Sequence, residues 1–438
     1  MHSKNRPVII SLCLTIVLVS CSLSFLNPLC VAQSEDATII KYEVNDAFIG
    51  NLLHTIRIDN PTLYTIEDLK LFVPLIRNET ARHYVALSNI SSSIGQPEMI
   101  KDDSENIYAY WDSITLNARQ SLRVDISYYL LSFDIHYLVN SSLPENYDKN
   151  SGLYRRYTQS EPLIESDDPE MISKAQSVTN SSNTTFGKVS RIYNFVVSYM
   201  RYAVQDEERG ALWALENKTG DCSEYSYLFV ALCRAIGIPA RIQAGFAFYS
   251  TTETTEDGHM WAEYYLENYG WVPVDATWRQ FNALDFKHFS SVQSTPEFTP
   301  YSNYFYNDTS GAELVDNQTL TLNPCPASVF GNNSFAENAV KAIDKINQAK
   351  SSLFIGETVG ISWIFPSETE QVENALLESK LMLQNMLELF DQTGIDAGIM
   401  KAEESSRTVW SAILKALAIY VTAAAVILLI AAIFLTRH

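Results

Sequence analysis

Gly220-Asp221-Cys222-Ser223-Glu224, continued by Tyr225 to Ile236 and closed by Gly237-Ile238-Pro239, is the segment from which the architecture reads outward. Tyr225, Leu228, Phe229, Leu232, Cys233 and Ile236 recur at helical spacing, so the segment is a helix that buries one apolar stripe. Gly237 and Pro239 stop it. Cys222 opens that helix, where unpaired backbone N–H groups and the positive end of the dipole favour a thiolate, the form of a thiol that attacks carbonyls. Cys233 shares nearly the same azimuth but lies ~16 Å farther along the axis. It can neither bridge Cys222 nor share its place, and it reads as core.

Downstream, Gly258-His259-Met260-Trp261-Ala262-Glu263 begins an alternating segment that runs to Leu266, and Trp271-Val272-Pro273-Val274-Asp275 answers it across Asn268-Tyr269-Gly270. The pair reads as a β-hairpin. A pairing centred near Glu267 sets Asp275 opposite His259, and a slightly shifted centre makes it a diagonal neighbour. Either way a carboxylate can reach the imidazole. A thiolate, a histidine to accept and return the proton, and an acid to hold the ring's tautomer are the parts of thiol catalysis. Upstream, a Thr184/Thr185 cap precedes Val189, Ile192, Tyr193, Val196, Val197 and Met200, a second helical stripe. Residues 146–183 are rich in Ser, Asn, Asp, Glu and Pro and read as a linker with a short helix near Pro169.

At four places the sequence resembles the transglutaminase-like superfamily of cysteine enzymes, whose core is similar to papain: Gly220-Asp221-Cys222; Ala231-Leu232-Cys233-Arg234-Ala235-Ile236-Gly237-Ile238-Pro239-Ala240-Arg241; Gly258 to Glu263; and Gly270-Trp271-Val272-Pro273-Val274-Asp275-Ala276-Thr277. The resemblance covers residues 150–290. It implies Cys222 as nucleophile, His259 as general base then acid, and Asp275 as its orienter, with Trp261, Trp271 and Arg241 packed around them. The Cys222 backbone N–H and an upstream aromatic donor, Tyr202 with Trp213 competing, would form the oxyanion hole. Two features depart from animal transglutaminases: Ser223-Glu224 follow the cysteine where those enzymes have Trp, and no pair of β-barrels follows the core.

The remainder of the 438 residues adds flanking regions, since single cores rarely grow beyond ~250 residues. Residues 37–140 alternate with period two, for example Leu122, Val124, Ile126, Tyr128 and Leu130, and read as an all-β sandwich. An irregular extension is expected over 291–330 and a helical stalk over 331–408. An uncharged stretch then supplies a transmembrane helix at 412–435, long enough for the ~20 residues that cross a bilayer. At the other end Val8 to Leu26, behind Lys4 and Arg6, reads as a signal peptide over 1–32, cleaved near Ala32, retained as an anchor, or lipidated at Cys21. Export leaves Cys222, Cys233 and Cys325, an odd number in an oxidising compartment, so at least one thiol stays free. Asn78, Asn89, Asn140, Asn180, Asn183, Asn217, Asn307, Asn317 and Asn332 are glycosylation acceptors in form.

With 31 Lys and Arg against 51 Asp and Glu, the net charge of -20 excludes a nucleic-acid or other polyanion partner. The histidines show no metal-ligand spacing, and neither a metal nor a cofactor is expected. The expected fold is therefore multidomain: a β-sandwich, an α+β papain-like transglutaminase core, a helical stalk and a C-terminal transmembrane helix. The expected function is that of an exported, single-pass membrane enzyme with its bulk extracellular, cutting amide bonds of a protein or peptide through a thioester. Protein-glutamine transamidation, and a non-enzymatic adhesion or scaffold role, are the alternatives.

Overall fold

The computed structural model describes residues 39–436 except 80, 144–145, 294–298, 308–312 and 332–334. The expected signal segment lies outside the described residues.

Six strands come first: β1 (Tyr42–Asp59), β2 (Ile66–Pro74), β3 (His83–Ser92), β4 (Glu98–Lys101), β5 (Ile107–Leu116) and β6 (Ser121–Tyr137). Helices α1 (Gly152–Thr158), α2 (Pro169–Thr179) and α3 (Thr185–Tyr199) follow, then β7 (Arg201–Tyr202), α4 (Ala211–Asn217), β8 (Thr219–Gly220) and α5 (Cys222–Ala235). Next are β9 (Ala240–Ala247), β10 (Glu253–Thr255), β11 (His259–Leu266), β12 (Gly270–Asp275), β13 (Gln280–Phe281), β14 (Ala283–Leu284) and β15 (His288–Gln293). Two later strands, β16 (Asn303–Phe305) and β17 (Val315–Pro324), precede helices α6 (Phe335–Thr358), α7 (Ile361–Ile364), α8 (Pro366–Leu389) and α9 (Ile395–Thr436).

One sheet runs β10-β17-β1-β6-β14 with β3 also on β6, and a second runs β16-β2-β5-β4. Their facing residues form one apolar core: Leu52, Ile56 and Ile58 of β1 and Val124, Ile126 and Leu130 of β6 meet Leu69, Leu71 and Val73 of β2. This sandwich is not confined to residues 37–140. β16 pairs β2, and all ten residues of β17 pair β1 from Val315 opposite Asp59 to Pro324 opposite Gly50. The stretch expected to be irregular thus closes the sandwich. Its inward residues Leu320 and Leu322 sit among Thr and Asn, so the alternation is too sparse to show a strand whose partner is more than two hundred residues away.

The third sheet, β13-β12-β11-β9-β15, belongs to the central core, and α5 packs across it. Strand β6 serves both regions. Its even residues Leu122 to Leu130 face the sandwich core, whereas Leu131, Phe133, Ile135 and Tyr137 lie on the opposite face against the central core. Phe246 of β9, Phe248 just beyond it and Phe289 of β15 reach the sandwich core in turn. The linker is more ordered than its composition suggested. It holds α1, capped by Ser151, besides α2, capped by Asp168 with Pro169 in its first turn.

The segment expected as a stalk, 331–408, holds α6, α7, α8 and the first part of α9, and α9 runs unbroken through 401–415 into the segment expected to span the membrane. α6, α8 and the first half of α9 pack together and against β1, where Glu43 pairs with Lys350 and Lys380, and Lys41 with Glu388. Farther along, Val421, Ile427, Leu428 and Leu429 are exposed, and α9 is long and apolar enough to cross a membrane.

Candidate active site

Cys222 is the first residue of α5, and its position is fixed from two sides. Asp221 caps the helix: its Oδ1 accepts the Ser223 N–H at 3.1 Å, while Glu224 Oε2 accepts the Asp221 N–H at 2.9 Å, a reciprocal capping box. Glu224 is wholly buried and its Oε1 also accepts the Arg209 N–H at 2.8 Å. A Cβ at Gly220 would lie 2.3 Å from Glu224 Cβ, so the residue before the cap must be small. On the other side, Ser226 Oγ lies 2.7 Å from the Cys222 carbonyl and 3.2 Å from that of Met260. That hydroxyl ties the first turn of α5 to β11 one residue beyond His259.

The hairpin of β11 and β12 pairs Leu266 with Gly270, Tyr264 with Val272 and Ala262 with Val274, so it centres on Asn268. Gly270 adopts φ +78° in the turn. The centre falls one residue past Glu267, which makes Asp275 the diagonal neighbour of His259. His259 Nε2 donates to Asp275 Oδ2 at 2.7 Å, and both groups are buried. Asp275 Oδ1 accepts the Thr277 and Trp278 N–H groups at 2.8 and 2.9 Å, which fixes the carboxylate plane.

Charge follows from this geometry. Burial alone would depress the His259 imidazole. The negative charge of Asp275 and its hydrogen bond, with a hydrogen bond to Cys222 and its charge, push it up to about 9 instead. Burial opposes ionisation of Asp275 as well, but His259 and His288 hold its carboxyl far below the usual carboxylate range. Burial raises the Cys233 and Cys325 thiols, and no histidine among the described residues acts on either. All three thiols are free.

Cys222 and His259 face a cleft of about 660 Å³ whose walls include Tyr202, Tyr249, Trp278 and Tyr301. Tyr202 therefore lies in the cleft, whereas Trp213 is not among its lining residues. Burial, followed by the charges of Cys222 and Asp221, pushes the Tyr202 phenol up to about 12, so it remains a proton donor at neutral pH. Of the packing residues, Trp261 is fully buried with its ring 6.0 Å from that of His259. Arg241 stacks 4.1 Å over Trp271 and bonds to Glu263 at 2.7 Å.

One buried residue of the site, His288, belongs to none of the sequence motifs. His288 Nε2 lies 3.3 Å from Asp275 Oδ2, and its Nδ1 lies 2.9 Å from Asp285 Oδ1. It reaches the site because β15 pairs β9 with His288 opposite Ala247, a register interrupted by an irregularity at Ser290 and Val292. The only sequence signal is a His three residues after an Asp, which is too common to point anywhere. Donor atoms of His259, Asp275 and His288 lie within 4.8 Å of one another. Their mutual hydrogen bonds already account for these atoms.

Residues 172–276 match the family model of the transglutaminase-like superfamily, a span that contains Cys222, His259 and Asp275. Among solved structures, the chain is similar to a "putative cysteine protease" from Cytophaga hutchinsonii, at 14% identity and TM-score 0.48 over 64% of this chain and 99% of that one. It is similar to the periplasmic domain of TgpA from Pseudomonas aeruginosa, solved with ethylmercury, at 19% identity and TM-score 0.29 over 52% and 90%. A "putative protease" from Parabacteroides distasonis aligns at 11% identity and TM-score 0.21 over 61% and 49%. No curated protein matches the chain.

Proposed function

We propose that this transglutaminase-like core is a cysteine amidohydrolase, and most directly a peptidase, in which Cys222, His259 and Asp275 are the catalytic triad. The observation that carries the reading is the 2.7 Å His259–Asp275 bond at the wall of the cleft into which Cys222 opens from a helix N-terminus. The Cys222 sulfur attacks the amide carbonyl carbon, the carbon–sulfur bond forms and the carbonyl π electrons move to oxygen. The Cys222 backbone N–H and the Tyr202 hydroxyl stabilise that oxygen. As the carbonyl re-forms, the carbon–nitrogen bond breaks and the departing amine takes the proton from His259. A water then gives its proton to neutral His259 and its oxygen to the thioester, releasing the acid and restoring the thiolate and imidazolium. Asp275 holds the ring and balances its charge throughout.

Cys222 is only half-buried and the cleft opens to solvent, which supports water rather than an amine as the second nucleophile. The apolar α9 and the amino-terminal apolar stretch behind Lys4 and Arg6 support an exported, single-pass protein acting on extracellular protein or peptide. The test incubates the detergent-solubilised full chain with a mixed peptide library and reads new amino termini by mass spectrometry. Cleavage by the wild type that vanishes in Cys222→Ala supports the peptidase. Incorporation of an added primary amine without cleavage would make it a transamidase instead. Equal product from both proteins, or none from either, would remove the reading.

A further inference from the structure

Asp275 is shared. Its Oδ2 lies 2.7 Å from His259 Nε2 and 3.3 Å from His288 Nε2, and the other nitrogen of His288 is 2.9 Å from Asp285 Oδ1. The His288 side chain is completely inaccessible, and both of its ring nitrogens meet carboxylates. A neutral imidazole has one N–H and one lone pair, and a carboxylate oxygen facing that lone pair is repelled. Only the imidazolium satisfies both contacts. Asp285 is itself positioned, with Oδ2 accepting from Gln280 Nε2 at 3.0 Å and Oδ1 from the Lys287 N–H at 2.9 Å. The His288 ring also packs edge-on against Trp261 and Trp278 at 5.4 and 4.8 Å, which leaves it no room to swing away.

We propose that His288 is a positioning residue of this site: as a permanent imidazolium between Asp285 and Asp275 it anchors the carboxylate that orients His259, and it sets the pH range over which the Cys222–His259 pair stays charged. The inference rests on the triad reading above. His288 transfers no proton during the reaction; its effect is that of a fixed positive charge, with its ring centroid 5.5 Å from that of His259. That charge opposes protonation of His259 and weakens Asp275 as an acceptor, so both effects act in one direction. The other titratable groups facing this assembly are Cys222 from α5, Lys287 beside Asp285, Tyr193 from α3 facing Asp275, and Asp134 from β6 facing Asp285. Burial works against the His288 charge, but the hydrogen bonds of Asp275 and Asp285 raise its affinity for the proton above the ordinary imidazole value.

The experiment follows the rate of Cys222 alkylation by iodoacetamide against pH in the solubilised full chain, located by peptide mapping. In the wild type the rate is expected to show an alkaline inflection near the His259 value of about 9, where the imidazolium loses its proton. Removing the neighbouring positive charge in His288→Gln and His288→Phe is expected to move that inflection up by about one pH unit. A purely structural role would lower the melting temperature and leave the inflection in place, and that result in folded variants overturns the proposal. Should neither variant fold, ¹⁵N spectra of histidine-labelled wild type decide. Two protonated nitrogens on His288 at pH 8 support the proposal, and one overturns it. A wild type whose Cys222 has no inflection and reacts no faster than Cys325 would sink the triad reading and this inference together. An inflection that stays put in the variants sinks only the inference.

Discussion

Asp275 has four hydrogen-bond contacts, two from backbone N–H groups and two from histidines, and all its acceptor capacity is used. Asp275→Asn keeps the shape but brings an N–H against one of those donors and removes the charge that holds the imidazolium. In the Ser-His-Asp triad of serine proteases the equivalent change costs about 10⁴ in rate. A thiol is intrinsically a stronger nucleophile than a hydroxyl and depends less on its third member, so turnover is expected to fall by about 10 to 10³. Steady-state kinetics with matched melting curves check this; an unchanged kcat would remove Asp275 from the site. At this scale Cys222, His259 and Asp275 were legible because local rules place each of them: a helix start, a strand start and a hairpin partner. His288 was not, because its place depends on β15 returning beside β9, a pairing that no local pattern encodes.

Among the elements, α5 owes its register to the capping box, and the same residues shape the cleft wall. Asp221 Oδ2 accepts the Gln205 N–H at 3.1 Å, so the cap also fastens the segment after Tyr202. Glu224→Ala leaves the partly buried Arg209 and Asp221 N–H groups without their acceptor, at a cost of about 0.5–1.5 kcal/mol for each hydrogen bond. Thermal melting should show that loss together with a rise in KM, whereas an unchanged melting point would mean the box does not hold the helix. The helix itself was plain from its stripe and its Gly237 stop, and the structure ends it at Ala235 with Gly237 at φ +76°. β16 and β17 were not plain, since β16 has only three residues and β17 returns to a partner strand more than two hundred residues away.

The whole molecule is joined by buried charge as well as apolar surface. Glu263 of β11 bonds to Arg241 and Gln243 at 2.7 Å and lies 3.2 Å from Arg82, which sits just before β3. Burial would raise its carboxyl, but the charges of Arg241 and Arg82 hold it well below the usual range, as His259 and His288 do for Asp275. A carboxyl depressed on folding contributes stability that is present above its unfolded value, about 4, and is lost as pH falls through its folded value. Melting temperature should therefore drop as pH falls below about 4.5, with a shallower drop over that range in Glu263→Gln; parallel acid curves would discount the network. At the other end, α9 predicts that the chain stays with membranes through an alkaline carbonate wash and that removal of residues 412–436 releases it. Release of the full chain by carbonate would contradict a spanning helix. The apolar stretch was legible because a run long enough to cross a bilayer declares itself by length, but its continuity with the packed half of α9 was not, because Lys401, Arg407 and Lys415 interrupt the hydropathy without interrupting the helix.

That Cys222 acts as a nucleophile with His259 is tested most directly by a peptidyl acyloxymethyl ketone, whose warhead is captured by a thiolate as its carboxylate leaves. Intact-mass and peptide-mapping measurements on the solubilised chain should show one adduct, on Cys222, with Cys233 and Cys325 unmodified. His259→Ala should slow its formation by about 10² or more. Labelling of Cys325 at an equal rate, or full-rate labelling of Cys222 in His259→Ala, would contradict the account.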